Sequence, residues 1–126
     1  MKNAVGLWID HRKAVVVRLI DQLEEIKIIN SNVDKHPRFS GEAQKQNEED
    51  QRDRRFANQL NQYYDEVISF LRDAESILII GPGKAKLEFK KRFETEVHTG
   101  KIAGTETVDK MTDNQIVARI REYFVM

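Results

Sequence analysis

The sequence has no cysteine, two prolines, six glycines and one tryptophan in 126 residues, and its charge is balanced at 21 Lys plus Arg against 21 Asp plus Glu. Each shortage excludes something. Without cysteine there is no disulfide framework, no thiolate zinc site and no thiol nucleophile. Without an excess of positive charge, the chain cannot coat nucleic acid by bulk phosphate neutralisation, although a local basic patch remains open to it. No run approaches the 18 or so apolar residues of a membrane span. The apolar stretch Ala4–Ile9 stops at Asp10-His11-Arg12-Lys13, too soon for the core of a secretory signal, and a cytoplasmic protein without membrane contact is the expectation. The three histidines (His11, His36, His98) are scattered, with no His-Glu-x-x-His and no Gly-x-Ser-x-Gly, so neither a zinc hydrolase nor a serine nucleophile is indicated.

What is present is patterning. The length suits one domain over residues 1–126. Ala4–Ile9, Ala14–Ile20 and Glu24–Ile29 are rich in β-branched residues and joined by short polar links, which predicts three strands in an antiparallel meander. Asn30–Asn47 is polar, holds Pro37 and Gly41, and follows neither periodicity; connections this long inside compact domains are uncommon and usually functional or mobile. Asn47 is the expected cap of a helix whose first turn carries Glu48, Glu49 and Asp50. Along that helix Phe56, Leu60, Tyr63, Tyr64, Val67, Ile68 and Leu71 recur at helical spacing. Ser76–Ile80 reads as a buried central strand, Lys84–Glu94 as a second helix, and Gly100–Val108 as a weaker strand interrupted by Gly104. A capping box at Thr112–Gln115 opens a terminal helix. The order β-β-β-α-β-α-β-α implies an α/β fold with a single mixed sheet, in the ribonuclease-H-like group.

Three places could carry function. The first is Gly81-Pro82-Gly83-Lys84, where a strand turns on glycine into a helix start, a natural anion site. From Lys84 to Arg92 there are five basic residues and one acid, the most lopsided stretch of the chain. Gly81, Gly83, Lys84, Lys86, Lys90 and Arg92 are the expected contacts to phosphate or RNA backbone. The second is the long loop, where Lys35, His36 and Arg38 around Phe39 suit RNA, the plainer alternative being a surface loop of mixed charge. The third is Asp10 at the end of the first strand, a metal ligand if Glu24, Asp109 or Asp113 converge on it, and otherwise a turn residue. The Tyr63-Tyr64 pair suggests one aromatic outside the core, available to a partner.

The run Ile77-Leu78-Ile79-Ile80-Gly81-Pro82-Gly83-Lys84-Ala85-Lys86-Leu87-Glu88-Phe89 resembles the middle domain of archaeal and eukaryotic class-one peptide release factors and of pelota. The opening Trp8-Ile9-Asp10-His11-Arg12-Lys13-Ala14 is similar to small bacterial release-factor-like "translational machinery" proteins. The long loop, followed by Arg52, Arg54, Arg55 and Phe56, occupies the place of the release-factor catalytic loop and its following helix. The resemblance implies contact with the ribosome or tRNA. It does not imply peptide release: where release factors carry Gly-Gly-Gln, this chain has Phe39-Ser40-Gly41-Glu42-Ala43-Gln44, and 126 residues leave no room for stop-codon recognition. The expectation is a non-enzymatic ribosome- or RNA-associated protein with no cofactor or metal. The alternatives are a homo-oligomeric interaction module without RNA and a metal-dependent nuclease using Asp10.

Overall fold

The computed structural model describes residues 3–20, 23–31, 46–96 and 101–125. The strands are β1 (Ala4–Ile9), β2 (Lys13–Ile20), β3 (Leu23–Asn30), β4 (Ser76–Gly81) and β5 (Ile102–Thr107). The helices are α1 (Gln46–Ser69), α2 (Ala85–Glu96) and α3 (Asp113–Val125). The sheet runs β3-β2-β1-β4-β5. The first three strands form the anticipated antiparallel meander, while β4 and β5 run parallel to β1. The single mixed sheet and the element order expected from the sequence are those observed.

Side chains alternate across a strand, so a strand covered on both faces must be apolar at every position. β1 and β4 meet that condition. Val5, Leu7, Ile9, Ile77 and Ile79 point to one face, where Tyr63, Tyr64, Val67, Ile68 and Leu71 of α1 and Phe89 and Phe93 of α2 cover them. Trp8, Leu78 and Ile80 point to the other, under Ile116 and Ile120 of α3. Between them Gly6 admits α3 to the sheet: a Cβ there would lie 2.3 Å from the Ile120 side chain. Lys13 crosses the rim of this second core, with its ammonium 5.8 Å from the centre of the Trp8 ring and 3.7 Å from Asp113.

Three local details settle the ends of elements. α1 already includes Gln46 and Asn47, so Asn47 is not the cap expected of it. Its far end is tied to the sheet by Arg18 on β2, whose guanidinium donates to the Phe70 carbonyl (2.6 Å), the Asn3 amide oxygen (2.9 Å) and Asp73 (3.2 Å). A cation at a helix C-terminus satisfies carbonyls that have no intrahelical donor. The capping box of α3 forms as expected: the Gln115 N–H donates to Thr112 Oγ1 at 3.2 Å, and the Thr112 N–H to Gln115 Oε1 at 2.9 Å.

β5 tolerates its weak propensity through an irregularity. Ile77 pairs with Ile102 but Leu78 with Gly104, leaving Ala103 as the extra residue of a bulge. The Tyr123 hydroxyl donates to the Ala103 carbonyl at 3.2 Å, and a Cβ on Gly104 would come within 2.9 Å of it. Among the described residues, no helix is long and apolar enough to cross a membrane.

Replacing Gly6 with Ala forces a methyl into the Ile120 side chain inside a closed core. The expected loss of stability is about 1–3 kcal/mol, read from the denaturation midpoint. Gly6→Ala/Ile120→Val should recover part of it.

Candidate nucleic-acid interface

β1 and β4 end side by side, and the chain reverses there by two routes. After β1, Asp10 makes the hairpin turn: its carboxylate accepts from the N–H groups of Arg12 (2.7 Å) and Lys13 (2.8 Å), and its own N–H donates to the Lys13 carbonyl at 3.0 Å. After β4, Gly81 lies so close to β1 that a Cβ would sit 2.2 Å from the Ile9 carbonyl oxygen. Gly83 then takes φ 65°, a left-handed conformation that glycine alone adopts without penalty. The Lys84 carbonyl accepts from the N–H groups of Leu87 and Glu88, both at 3.0 Å, and so begins α2. The first N–H groups of a helix have no intrahelical acceptor and carry its positive dipole end.

The basic residues of this stretch have different fates. Lys84 and Lys91 are exposed, and with Leu87 (56% exposed) they form one outward stripe at i, i+3, i+7. Lys86 is 4% exposed and donates its ammonium to the Gly83 carbonyl at 2.6 Å. It fastens the turn from inside instead of reaching into solvent, because the i+3 and i+7 positions beside it, Phe89 and Phe93, face the core. Arg92 makes a two-pronged pair with Asp65 of α1, at 2.7 and 2.9 Å. That hydrogen-bonded pair holds the Asp65 carboxyl below its ordinary range and raises the Arg92 guanidinium. Lys90 is half-buried. Lys91, not singled out by sequence, joins the exposed set because it falls one α-helical repeat of seven from Lys84.

A polar cluster lies under the same turn. One oxygen of Glu88 faces both His11 Nε2 (3.0 Å) and the Tyr64 hydroxyl (2.8 Å), and the Tyr63 hydroxyl donates to the Asp10 carbonyl at 2.9 Å. Both tyrosine rings are buried, at 2% and 3% exposure. The expectation that one of the pair stands outside the core is thereby corrected: neighbouring helix positions are separated by about 100°, which the apolar stripe of α1 spans. Burial, then the nearby acids Asp10 and Glu88, push both phenols well above the ordinary tyrosine range. Beside the cluster, α1 and α2 leave a groove of about 480 Å³, floored by Phe56, Leu60 and Tyr64 and rimmed by Lys91, Arg92 and Glu96.

The carboxylates do not gather on Asp10. Glu24 sits near the opposite end of the sheet and pairs with Arg121, and Asp113 pairs with Lys13. Among the described residues no three His, Asp or Glu side chains converge into a group that could hold a metal ion. The loop residues Lys35, His36 and Arg38 lie outside the described residues.

No protein-family model matches the chain, and no curated protein sequence does. Solved structures do match. Pelota of Thermoplasma acidophilum aligns with a TM-score of 0.62 at 15% identity, over 96% of this chain and 32% of that one. The archaeal translation termination factor aRF1 aligns with a TM-score of 0.62 at 12% identity, over 94% and 34%. Pelota of Archaeoglobus fulgidus gives 0.57 at 18%, over 98% and 32%. The fold is thus the one these proteins carry in a segment, and this chain spans about a third of their length.

Two outcomes follow from this geometry. Gly83→Ala should cost about 1–2 kcal/mol for its left-handed backbone. Gly81→Ala should cost more, since its methyl meets backbone. Tyr63 and Tyr64 have folded pKa values raised above the unfolded value of about 10, so the stability they confer is complete below that pH and is lost as pH rises beyond it. Chemical denaturation across alkaline pH should show this decline, and Tyr63→Phe/Tyr64→Phe should flatten it.

Proposed function

We propose that this chain is a ribosome- or tRNA-associated protein that acts by contact and not by catalysis. The observation that carries the reading is the exposed Lys84–Leu87–Lys91 stripe, set at a glycine turn where a helix N-terminus opens beside the ends of β1 and β4. Phosphate is drawn to such a place by N–H groups, dipole and lysine charge acting together. The fold shared with segments of Pelota and of a translation termination factor supplies the direction: RNA of the translation machinery.

Within the interface the residues divide by role. Gly81 and Gly83 shape the turn and let an anion approach backbone. Lys84 and Lys91 supply charge, with Lys90 at the margin. Lys86 and Arg92 hold the scaffold, through Gly83 and Asp65 respectively. Lys35, His36 and Arg38 extend the same proposal by sequence. The absence of Gly-Gly-Gln from the sequence argues against peptidyl-tRNA hydrolysis, and the nuclease alternative has no converging group of acids on Asp10 among the described residues to support it. A cytoplasmic location belongs to the same proposal.

The test is co-sedimentation with ribosomes, and tRNA binding, across a salt series. Lys84→Glu/Lys91→Glu should weaken binding and reduce the slope against log salt by about one per lysine. Lys86→Met, which leaves the exposed stripe intact, should lower stability more than affinity. Equal binding by Lys84→Glu/Lys91→Glu and wild type would reject the interface. Failure of the wild type to bind either ribosomes or tRNA would reject the function.

A further inference from the structure

β3 is an edge strand, and among the described residues it pairs with β2 alone. Natural edges are blunted by shortness, proline, bulges or inward charge, because an open edge invites another strand. β3 has eight residues, no proline and an unbroken register from Leu23 to Asn30. Leu23, Ile26 and Ile28 on it are 71%, 49% and 44% exposed.

The phase of its hydrogen bonds can be read from the ladder. The Ser31 N–H donates to the Arg12 carbonyl at 2.8 Å, in continuation of the register that pairs Asn30 with Lys13. Antiparallel ladders alternate, so odd-numbered residues of β3 direct their N–H and C=O toward β2. Glu24, Ile26, Ile28 and Asn30 direct theirs to the open side.

We propose that β3 is an association edge for a second copy of this chain, the two strands pairing antiparallel about a two-fold axis at Ile26. The sequence is self-complementary in that register. Ile26 faces Ile26 of the second copy, Glu25 faces Lys27, Lys27 faces Glu25, and the most exposed residue, Leu23, faces Ile29. The outward backbone groups of Ile26 meet each other, and those of Glu24 meet Ile28. A shift by one step either way sets Lys27 against Lys27 or Glu25 against Glu25, like charges directly opposed. A contact in which the same patch meets itself is what a two-fold dimer requires. Glu25 is 69% exposed at its side chain and 3.8 Å from Arg18, so it stands at the rim where a partner lysine can reach it.

The test is sedimentation of the full chain over a range of concentrations. Wild type should show a reversible monomer–dimer equilibrium. Lys27→Glu and Glu25→Lys should each weaken it about tenfold or more, since each change opposes like charges twice across the axis. The double exchange Glu25→Lys/Lys27→Glu should restore association, because opposite charges meet again. A wild-type chain that stays monomeric throughout would overturn the proposal and leave the edge to a different strand. A dimer indifferent to both single exchanges, or not rescued by the double one, would overturn it by placing the contact elsewhere.

Discussion

The parallel pairing of β1 with β4 is the constraint from which the rest follows. Both strands are buried on both faces, so neither is stable without a helical layer on each side. That requirement explains the division of labour: α1 and α2 share one face, and α3 alone covers the other, drawn close by the absence of a side chain at Gly6. It also explains why the turns at the ends of these strands are crowded. Gly81 has to pass against the Ile9 carbonyl before the chain can leave the sheet, and the turn that results is the place where lysines and a helix start come together.

Most of the strand and helix order was legible because the forces behind it are local. Continuous apolar runs marked β1 and β4, β-branched residues marked β2, and a seven-residue recurrence from Phe56 to Leu71 marked α1. Side-chain fate was less legible. Lys86 and Lys84 look equivalent in the sequence, yet one is locked onto Gly83 and the other is free to solvent, which depends on how α2 rolls onto the sheet. Arg92 read as a contact residue because its partner, Asp65, lies 27 residues earlier with no motif joining them. The Tyr63-Tyr64 pair is illegible for a related reason: adjacency suggests that one ring lies outside the core, whereas the acceptors of both hydroxyls, the Asp10 carbonyl and Glu88, are distant in sequence.

The polar cluster beneath the turn joins the hairpin after β1 to α1 and α2 by way of Glu88, which faces His11 and Tyr64 with one oxygen. His11 and Glu88 stay open to solvent, while Tyr64 brings a buried hydroxyl to the same carboxylate and so ties α1 to α2 in one arrangement. The neutral overall charge is then an average. Acids at the start of α1 offset lysines on α2, so the balance conceals segments of opposite sign.

The bulge at Ala103 bears on the opposite end of the sheet. Within β5, an extra residue and a tyrosine hydroxyl on its carbonyl break the even comb of donors and acceptors that an incoming strand would need. The β5 margin is therefore interrupted near its start, while β3 keeps its register throughout. A two-fold pairing of the kind proposed at the β3 margin would close on itself after a single step, because both copies use the same margin. The same sheet with both margins regular would be a repeating unit of a fibre.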